Sequence, residues 1–299
     1  MKINAIAVVL FLLIISVTGH QAFAQSDYDT EQEELRYNDP TTVVNRPVNI
    51  QGLTGLIITN SAYTQPKGSM VIGLSAMAEN SKVPDYSIVQ GMATFTGGIT
   101  DTIEFGARMQ VIATNLGSSE KLETGIGDTD LLLKWRATSA GDTLPAIALG
   151  LAYTLPTGDG SKNLREVKHE GLRFMVIGTT EKEMPGDYFI GVYFEGQIVF
   201  NDQLSGSSST PYSDKYGVFN FGVLFPLTSD RQLQAILEYN TVTKKDVVTL
   251  YHEDYSALMP GLRYVTPNLN ISFGVQFLNP DQAGADNSER YVGTISYTF

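Results

Sequence analysis

The residues of this sequence best suited to chemistry are charged and amide side chains that recur at alternate positions. Glu104, Arg108 and Gln110 are spaced by two or four residues, as are Asp130 and Lys134. This spacing places side chains on one face of a β-strand. Charges on an inward face either pair into ladders that fill the interior or line a polar path. The full set of inward candidates is Glu104, Arg108, Gln110, Asp130, Lys134, Arg136, Arg173, Glu195, Glu238 and Arg263.

Enzymatic chemistry has little support. A nucleophile paired with a histidine base would have to use His169 or His252, since the remaining histidine lies in the first two dozen residues. Both fall in predicted loops, and no predicted strand carries a histidine. We therefore expect no catalytic residues and no enzyme activity.

Metal and cofactor sites are also not expected. Asp128, Asp130 and Asp159, with the loop acids Asp281 and Asp286, could offer oxygen ligands to a divalent cation, but their spacing is not that of an EF-hand loop. A turn role beside the neighbouring glycines is favoured for Asp128 and Asp159. The chain has no cysteine for a thiolate site, and its net charge of −12 argues against a nucleic-acid partner.

The elements that hold these residues follow a signal peptide. Lys2, an apolar run from Ala5 to Val17, and Ala22-Phe23-Ala24 predict a cleaved leader over residues 1–24. Residues 25–66 form a predicted acidic periplasmic segment, which ends in a lead-in around Leu53 to Tyr63. This last stretch could form either a short strand or a plug against the base of the domain that follows, which is predicted to be a barrel. Residues 67–299 are predicted to be a transmembrane domain.

Strict alternation of apolar and polar residues dominates this last region. In one segment, Leu237 alternates with Glu238 and Asn240, and no charge falls on the apolar face in the core of any segment. A period of two predicts strands, with turn residues between them. Twelve segments are counted, over 68–79, 86–98, 102–115, 127–138, 145–156, 171–182, 187–201, 215–226, 231–244, 255–266, 269–278 and 290–299.

The polar faces hold mostly Gly, Ser, Thr and Gln, which suits a barrel lumen better than the outside of a soluble sandwich. Short connectors alternate with longer polar ones, and aromatic residues such as Trp135 and Tyr264 collect near strand ends. The fold class is therefore all-β, a single antiparallel transmembrane β-barrel of about 12 strands in the cell outer membrane. Within it, Arg108 and Lys134 are predicted near mid-height, with Asp130 nearer the outer end and Glu104 with Arg136 nearer the inner end.

The last segment carries a terminal signal. Tyr291, Gly293, Ile295, Tyr297 and Phe299 share one parity, and the final residue is aromatic. This resembles the signal by which the barrel-assembly machinery recognises its clients. That machinery and outer-membrane lipid are the expected partners.

Two stretches carry a family resemblance. TGIGDTDLLLKWR at 124–136 and PAIALGLAYTLPTGD at 145–159 are similar to the outer-membrane family named for the MetA pathway of phenol degradation. The matching positions are Gly125, Gly127, Asp128, Lys134, Trp135 and Arg136, then Pro156, Thr157, Gly158 and Asp159. The resemblance implies a small barrel described as a transporter.

Function is accordingly predicted as a passive channel for small solutes, with no cofactor. The alternative is a non-conducting structural or surface-interaction barrel with a plugged lumen. A barrel of this size can be filled by side chains or hold a narrow conduit, so size does not decide between them.

The terminal signal can be tested by truncation. Deleting Phe299 should hinder assembly more than deleting a few residues within 25–45, because the last strand closes the barrel and the acidic segment does not. The measurement is the fraction of outer-membrane protein that migrates faster on SDS gels before boiling. Equal assembly of the two truncations would count against the signal.

Overall fold

The structure, a computed structural model, describes residues 46–82, 85–116, 123–139, 144–159, 164, 170–184, 188–201, 215–244, 255–280 and 288–299. The predicted signal peptide, residues 25–45 of the acidic segment, and both loop histidines lie outside these residues.

Twelve strands form where the sequence alternates, and each predicted segment overlaps one of them. They are β1 (Met70–Lys82), β2 (Asp85–Thr100), β3 (Ile103–Leu116), β4 (Glu123–Thr138), β5 (Ala146–Leu155), β6 (Gly171–Met184), β7 (Tyr188–Asn201), β8 (Lys215–Pro226), β9 (Leu233–Lys244), β10 (Tyr255–Val265), β11 (Leu269–Pro280) and β12 (Ser288–Thr298). The predicted strand count is confirmed.

Each strand pairs antiparallel with its neighbours in sequence, and β1 pairs with β12 to close the barrel. The closing ladder runs from Val71 opposite Thr298 to Asn80 opposite Glu289. Closure leaves no row of unpaired backbone groups, which hydrocarbon could not solvate. We call the end that holds Met70 and Thr298 the inner end.

No helix among the described residues has the length and apolar character needed to cross a membrane.

Side chains along each strand alternate between an apolar outer surface and a buried interior. Leu133 is 44% exposed whereas Lys134 is 0% exposed, and Leu237 at 42% contrasts with Glu238 at 0%. Exposed outward residues on other strands include Met109, Leu151, Phe174, Ile198, Phe221, Leu262 and Phe273. An apolar outer surface around a polar interior is the arrangement of a transmembrane barrel.

The interior is not empty, because the chain before β1 enters it. Residues 46–66, which we call the plug, are buried almost throughout, with Leu53 and Ile57 at 0% exposure. Isolated bridges join Val48 to Thr54 and Gly55 to Asn60, so the plug folds back on itself. Of the two possibilities left open by the sequence, the structure therefore shows the plug.

Apolar side chains of the plug build a dry core with the barrel wall. Ile50, Leu56 and Ile57 pack in one cluster, whose wall members are Met92, Phe189, Tyr193, Leu224, Ile236, Met259 and Val292. Leu53, Ala62 and Tyr63 pack in a second cluster with Leu132, Ala146, Ala148, Ala152, Met175 and Ile177. The lumen at this level is a packed interior.

Strand glycines let the plug approach the wall closely. A Cβ added to Gly106 on β3 would lie 2.4 Å from the carbonyl oxygen of Gly52. A Cβ on Gly222 of β8 would lie 2.3 Å from Cδ1 of Leu56. Each glycine therefore leaves a gap in the wall that the plug occupies and that a larger residue would fill, and we call such a gap a glycine seat.

A tight turn between β8 and β9 lies at the inner end, outside the membrane-spanning strands. The Thr228 hydroxyl and the Gln232 amide both donate to Oδ1 of Asp230, the amide at 3.1 Å. These hydrogen bonds lower the pKa of Asp230 below its ordinary value, because they favour the charged carboxylate. Arg231 completes the turn in the left-handed region, at φ 59°.

Replacing an outward residue tests which face meets lipid. Leu133→Arg should lower the free energy of folding into lipid vesicles by about 2 to 4 kcal/mol, the cost of a cation at mid-depth on the lipid face. Leu133 pairs with Leu151 at the centre of β5. Leu233→Arg, at the first position of β9, should cost about 0 to 1 kcal/mol because it lies near the interface. Urea titration of the two variants gives both values, and equal costs would contradict the depth assignment.

The glycine seat under the plug gives a second test. Gly106→Ala should displace the plug and leave the wall intact, because the new Cβ collides with plug backbone. The chain has no cysteine, so Ala62→Cys, at a site with 0% exposure, can report on plug position through its rate of maleimide labelling.

The matched control is Gly196→Ala on β7, where an added Cβ meets nothing within 4 Å. Labelling should be slow in the control and much faster with Gly106→Ala, while both proteins keep their heat-dependent gel shift. Slow labelling in both would show that the plug does not depend on this seat.

Candidate functional site in the barrel lumen

A buried ion pair between neighbouring strands holds the centre of the plug. Lys134 Nζ lies 3.0 Å from Glu104 Oε1, and both side chains are fully buried. The Glu104 carboxylate also accepts the amides of Thr54 at 2.9 Å and Gln65 at 2.8 Å, and the Thr54 hydroxyl donates to it. Lys134 donates to the carbonyl oxygen of Ser61 at 3.0 Å. The pair thus binds both donors and acceptors of the plug backbone.

A second carboxylate, Glu238 on β9, binds a turn of the plug. Three consecutive amides donate to it, Ile57 and Ile58 at 3.2 Å and Thr59 at 2.6 Å. Arg263 on β10 donates to the carbonyl oxygen of Gly55 at 3.0 Å. Several donors on one carboxylate offset part of the cost of burying it.

A third carboxylate, Glu195 on β7, accepts the amide of Asn60 at 3.2 Å and the side-chain amide of the same residue. The Asn220 side chain donates to it from β8 at 2.8 Å. The plug is therefore held by three buried carboxylates from three separate parts of the wall.

Hydrogen bonds connect Glu195 to the other side of the lumen. Asn240 donates to Asn220 at 3.0 Å, and Gln276 donates to Asn240 at 3.1 Å. Arg290 on β12 donates to Gln276 at 3.0 Å. Arg290 also forms an ion pair with Glu79 on β1 at 2.7 Å. This polar chain crosses strands from β7 round to β1 and ends on the plug at Asn60.

A second charged group lies on β3, β4 and β6. Arg108 forms an ion pair with Asp130, and Arg173 lies 3.8 Å from the same oxygen. The Arg173 guanidinium donates at 3.3 Å to the side chain of plug residue Gln51, as does Gln197 at 3.2 Å. This group of mixed charges lies on the side of the plug that faces the outer end of the barrel.

The predicted inward residues divide by what they touch. Glu104, Lys134, Glu195, Glu238 and Arg263 hydrogen-bond to plug backbone. Arg108 and Asp130 pair with each other on the wall, and Gln110 is buried further out on β3. Arg136 lies at the inner rim, where it donates to the carbonyl oxygen of Asp101 at 2.9 Å.

The prediction that Arg108 and Lys134 lie at one height is wrong. The register of β3 and β4 places Glu104 opposite Lys134 and Arg108 opposite Asp130. Lys134 therefore lies at the level of Glu104, nearer the inner end than Arg108 does. Parity assigns a face but no register, and an irregularity between Met109 and Val111 shifts this pairing in a way that alternation cannot show.

The terminal-strand residues lie on β12 and just beyond it. Tyr291, Gly293, Ile295 and Tyr297 share the outward parity, and the Phe299 amide donates to the carbonyl oxygen of Met70 at 2.8 Å. Tyr297 and Phe299 rings meet edge to face at 5.0 Å. Whether the assembly machinery reads them stays a prediction.

The acidic residue Asp128 links the two stretches that carried the family resemblance, but it lies within β4 and not in the predicted turn. Its Oδ1 accepts the Gly158 amide at 2.8 Å, and the Asp159 amide donates to Ile126 at 3.0 Å. Within the described part of the chain, no group of three or more His, Asp or Glu side chains is placed to hold a metal ion. Asp128 on β4 thus fastens the start of the loop between β5 and β6.

Sequence reasoning missed the ion pair between Glu79 and Arg290. It also missed Asn220 and Asn240, which lie between that ion pair and the plug in the polar chain. Glu79 and Arg290 stand at the very edges of the first and last predicted segments. Closure makes those segments neighbours, so opposite charges at their outer ends were the signal that could have found the pair.

Neither a family model nor a curated protein sequence matches the chain. The resemblance to the family named for the MetA pathway therefore stays a prediction.

Solved structures do match the fold. The COG4313 outer membrane channel from Pseudomonas putida F1 has a TM-score of 0.57 at 10% identity, covering 80% of this chain and 98% of that chain. The KdgM porin in complex with disordered oligogalacturonate has a TM-score of 0.50 at 9% identity, covering 77% and 99%. At these identities the likeness concerns architecture alone. The chain thus has the closed antiparallel barrel fold of outer-membrane channels and porins.

Proposed function

We propose that this protein is an outer-membrane channel for small solutes, held closed by its own plug. One observation carries the proposal. Among the described residues, main-chain hydrogen bonds join the plug to itself and to Ser69, and none joins it to a strand of the wall. Side chains of the wall provide the contacts, so the plug can leave without breaking the barrel.

The wall is complete without the plug, because β1 closes directly on β12. The plug is joined to β1 by a short link, and a bridge from Lys67 to Gly98 fixes that link at the inner end. The segment is therefore tethered where it enters and held elsewhere by non-covalent contacts, as a movable stopper would be.

The lumen left behind would be polar and of mixed charge. Glu104, Lys134, Glu195, Glu238 and Arg263 would face water once the plug withdrew. Hydration would offset the loss of their plug partners, because charged groups are costly only where they are both buried and unpaired. A wet path lined by both signs suits small polar solutes.

The rival function is a structural barrel that never conducts. The dry clusters around Ile57 and Leu53 favour it, because they make the closed state a packed interior. The two functions differ only in whether the plug leaves.

Deletion of residues 46–66 separates the two. In planar bilayers the full chain should be closed most of the time, and the deleted chain should conduct steadily, because the plug fills the lumen. The heat-dependent gel shift confirms that the deleted barrel has folded. If the deleted barrel folds but does not conduct, the channel proposal is wrong and the structural role is supported.

A reversible lock gives a matched control in the full chain. The hydroxyl oxygens of Ser61 and Thr179 are 3.4 Å apart, so cysteines at both positions can form a disulfide. Ser61→Cys with Thr179→Cys should show openings when reduced and none when oxidised. Identical records in both states would mean that any openings bypass the plug.

A further inference from the structure

We infer that the inner half of the lumen is a main-chain recognition site for a short oligopeptide, which the plug occupies in cis. The inference rests on the proposed function, since the site becomes available only when the plug withdraws. It adds the class of ligand, namely a peptide with two adjacent apolar residues.

The carboxylates of the wall accept hydrogen bonds from main-chain amide groups of the plug. The N–H donors of Thr54, Ile57, Ile58, Thr59, Asn60 and Gln65 all go to Glu104, Glu195 or Glu238. Main-chain amides are present in every peptide except at proline. Much of the affinity would therefore not depend on the side chains of the ligand.

The cations of the wall donate hydrogen bonds to main-chain carbonyl groups of the same stretch of the plug. Lys134 donates to Ser61 at 3.0 Å and to Thr54 at 3.4 Å, and Arg263 donates to Gly55 at 3.0 Å. The Thr96 hydroxyl donates to Gly52 at 2.9 Å, and the Ala62 amide donates to the Thr179 hydroxyl at 2.8 Å. Carboxylates and cations of the barrel wall thus surround one stretch of the plug backbone.

This mixture of charges selects the ligand class. A metal cation or an amine would satisfy the carboxylates and leave Lys134 and Arg263 facing a like charge. An inorganic anion would do the reverse. A peptide backbone carries donors and acceptors in fixed alternation, so it satisfies both sets at once.

Side-chain seats add a modest preference. Leu56 lies over Gly222, and Ile57 lies over Gly261, where an added Cβ would be 2.6 Å from its Cδ1. Two consecutive apolar side chains therefore fit beside the Glu238 carboxylate. Large residues elsewhere gain less, because the other contacts are to backbone.

The full chain can be used as the host for a test. In Gly106→Ala the new Cβ meets the Gly52 carbonyl, which loosens the plug. A synthetic peptide of residues 53–65 lacks Gly52 and so avoids the clash. Its fluorescently labelled form should bind the Gly106→Ala barrel measurably and the unmodified barrel much more weakly, because the tethered plug competes.

Two further peptides separate backbone from side-chain recognition. A peptide of the same length, with Leu and Ile at the places of 56 and 57, Gly kept at the place of 55, where a Cβ would lie 2.3 Å from the Thr59 carbonyl oxygen, and Ala or Ser elsewhere, should bind comparably. The 53–65 peptide methylated on the amide nitrogens of 57, 58 and 59 should bind more than about tenfold more weakly, since it loses three donors to a carboxylate. That loss should shrink in a Gly106→Ala, Glu238→Gln host.

The inference is wrong if the Ala and Ser peptide does not bind, or if methylation has no effect. It is equally wrong if the 53–65 peptide binds neither the Gly106→Ala barrel nor the folded 46–66 deletion. Conductance of that deletion without peptide binding would overturn the inference alone. Peptide binding without conductance would overturn the proposed function alone.

Discussion

The rest of the structure depends on one hydrogen-bonded ladder, the pairing of β1 with β12. Ten facing residue pairs from Val71 to Asn80 close the sheet on itself. Closure satisfies the backbone groups that lipid cannot solvate, and it thereby allows the outer surface to be apolar. It also creates an interior in which every charge needs a partner. The alternation of Leu237 with Glu238 has physical meaning only because the ladder separates those two environments.

The plug solves the problem that closure creates. Glu104, Glu195 and Glu238 project into a space from which water is largely excluded, and the strands have already used their own main-chain donors in the sheet. Further main-chain donors must come from a segment outside the sheet. The plug supplies them, and its carbonyl groups serve Lys134 and Arg263 in return. A buried charge that has lost its partner is strongly destabilising, so the closed state is specific without a covalent bond to the wall.

Much of this fold follows from local sequence, because the period of two is a property of each strand by itself. Leu133 and Lys134 could be assigned to opposite faces with no knowledge of their neighbours. The register could not be assigned in that way. Lys134 pairs with Glu104, and Arg108 with Asp130, in a register that contains a one-residue irregularity between β3 and β4, which alternation does not reveal. The plug was beyond local reasoning for a related cause. The run from Leu53 to Tyr63 suits a strand as well as a plug, and its place is decided by Glu238, about 180 positions away in the chain.

The polar chain from Glu79 to Asn60 gives the closed state a link to the far side of the lumen. Each member has one favourable arrangement once its neighbours are fixed, because each side-chain amide both donates and accepts. Two guanidinium N–H groups of Arg290 donate to one oxygen of Glu79 and anchor one end, and the carboxylate that binds Asn60 anchors the other. The plug is thus held by local contacts at its inner side and by a network whose first members lie on the two strands that close the barrel.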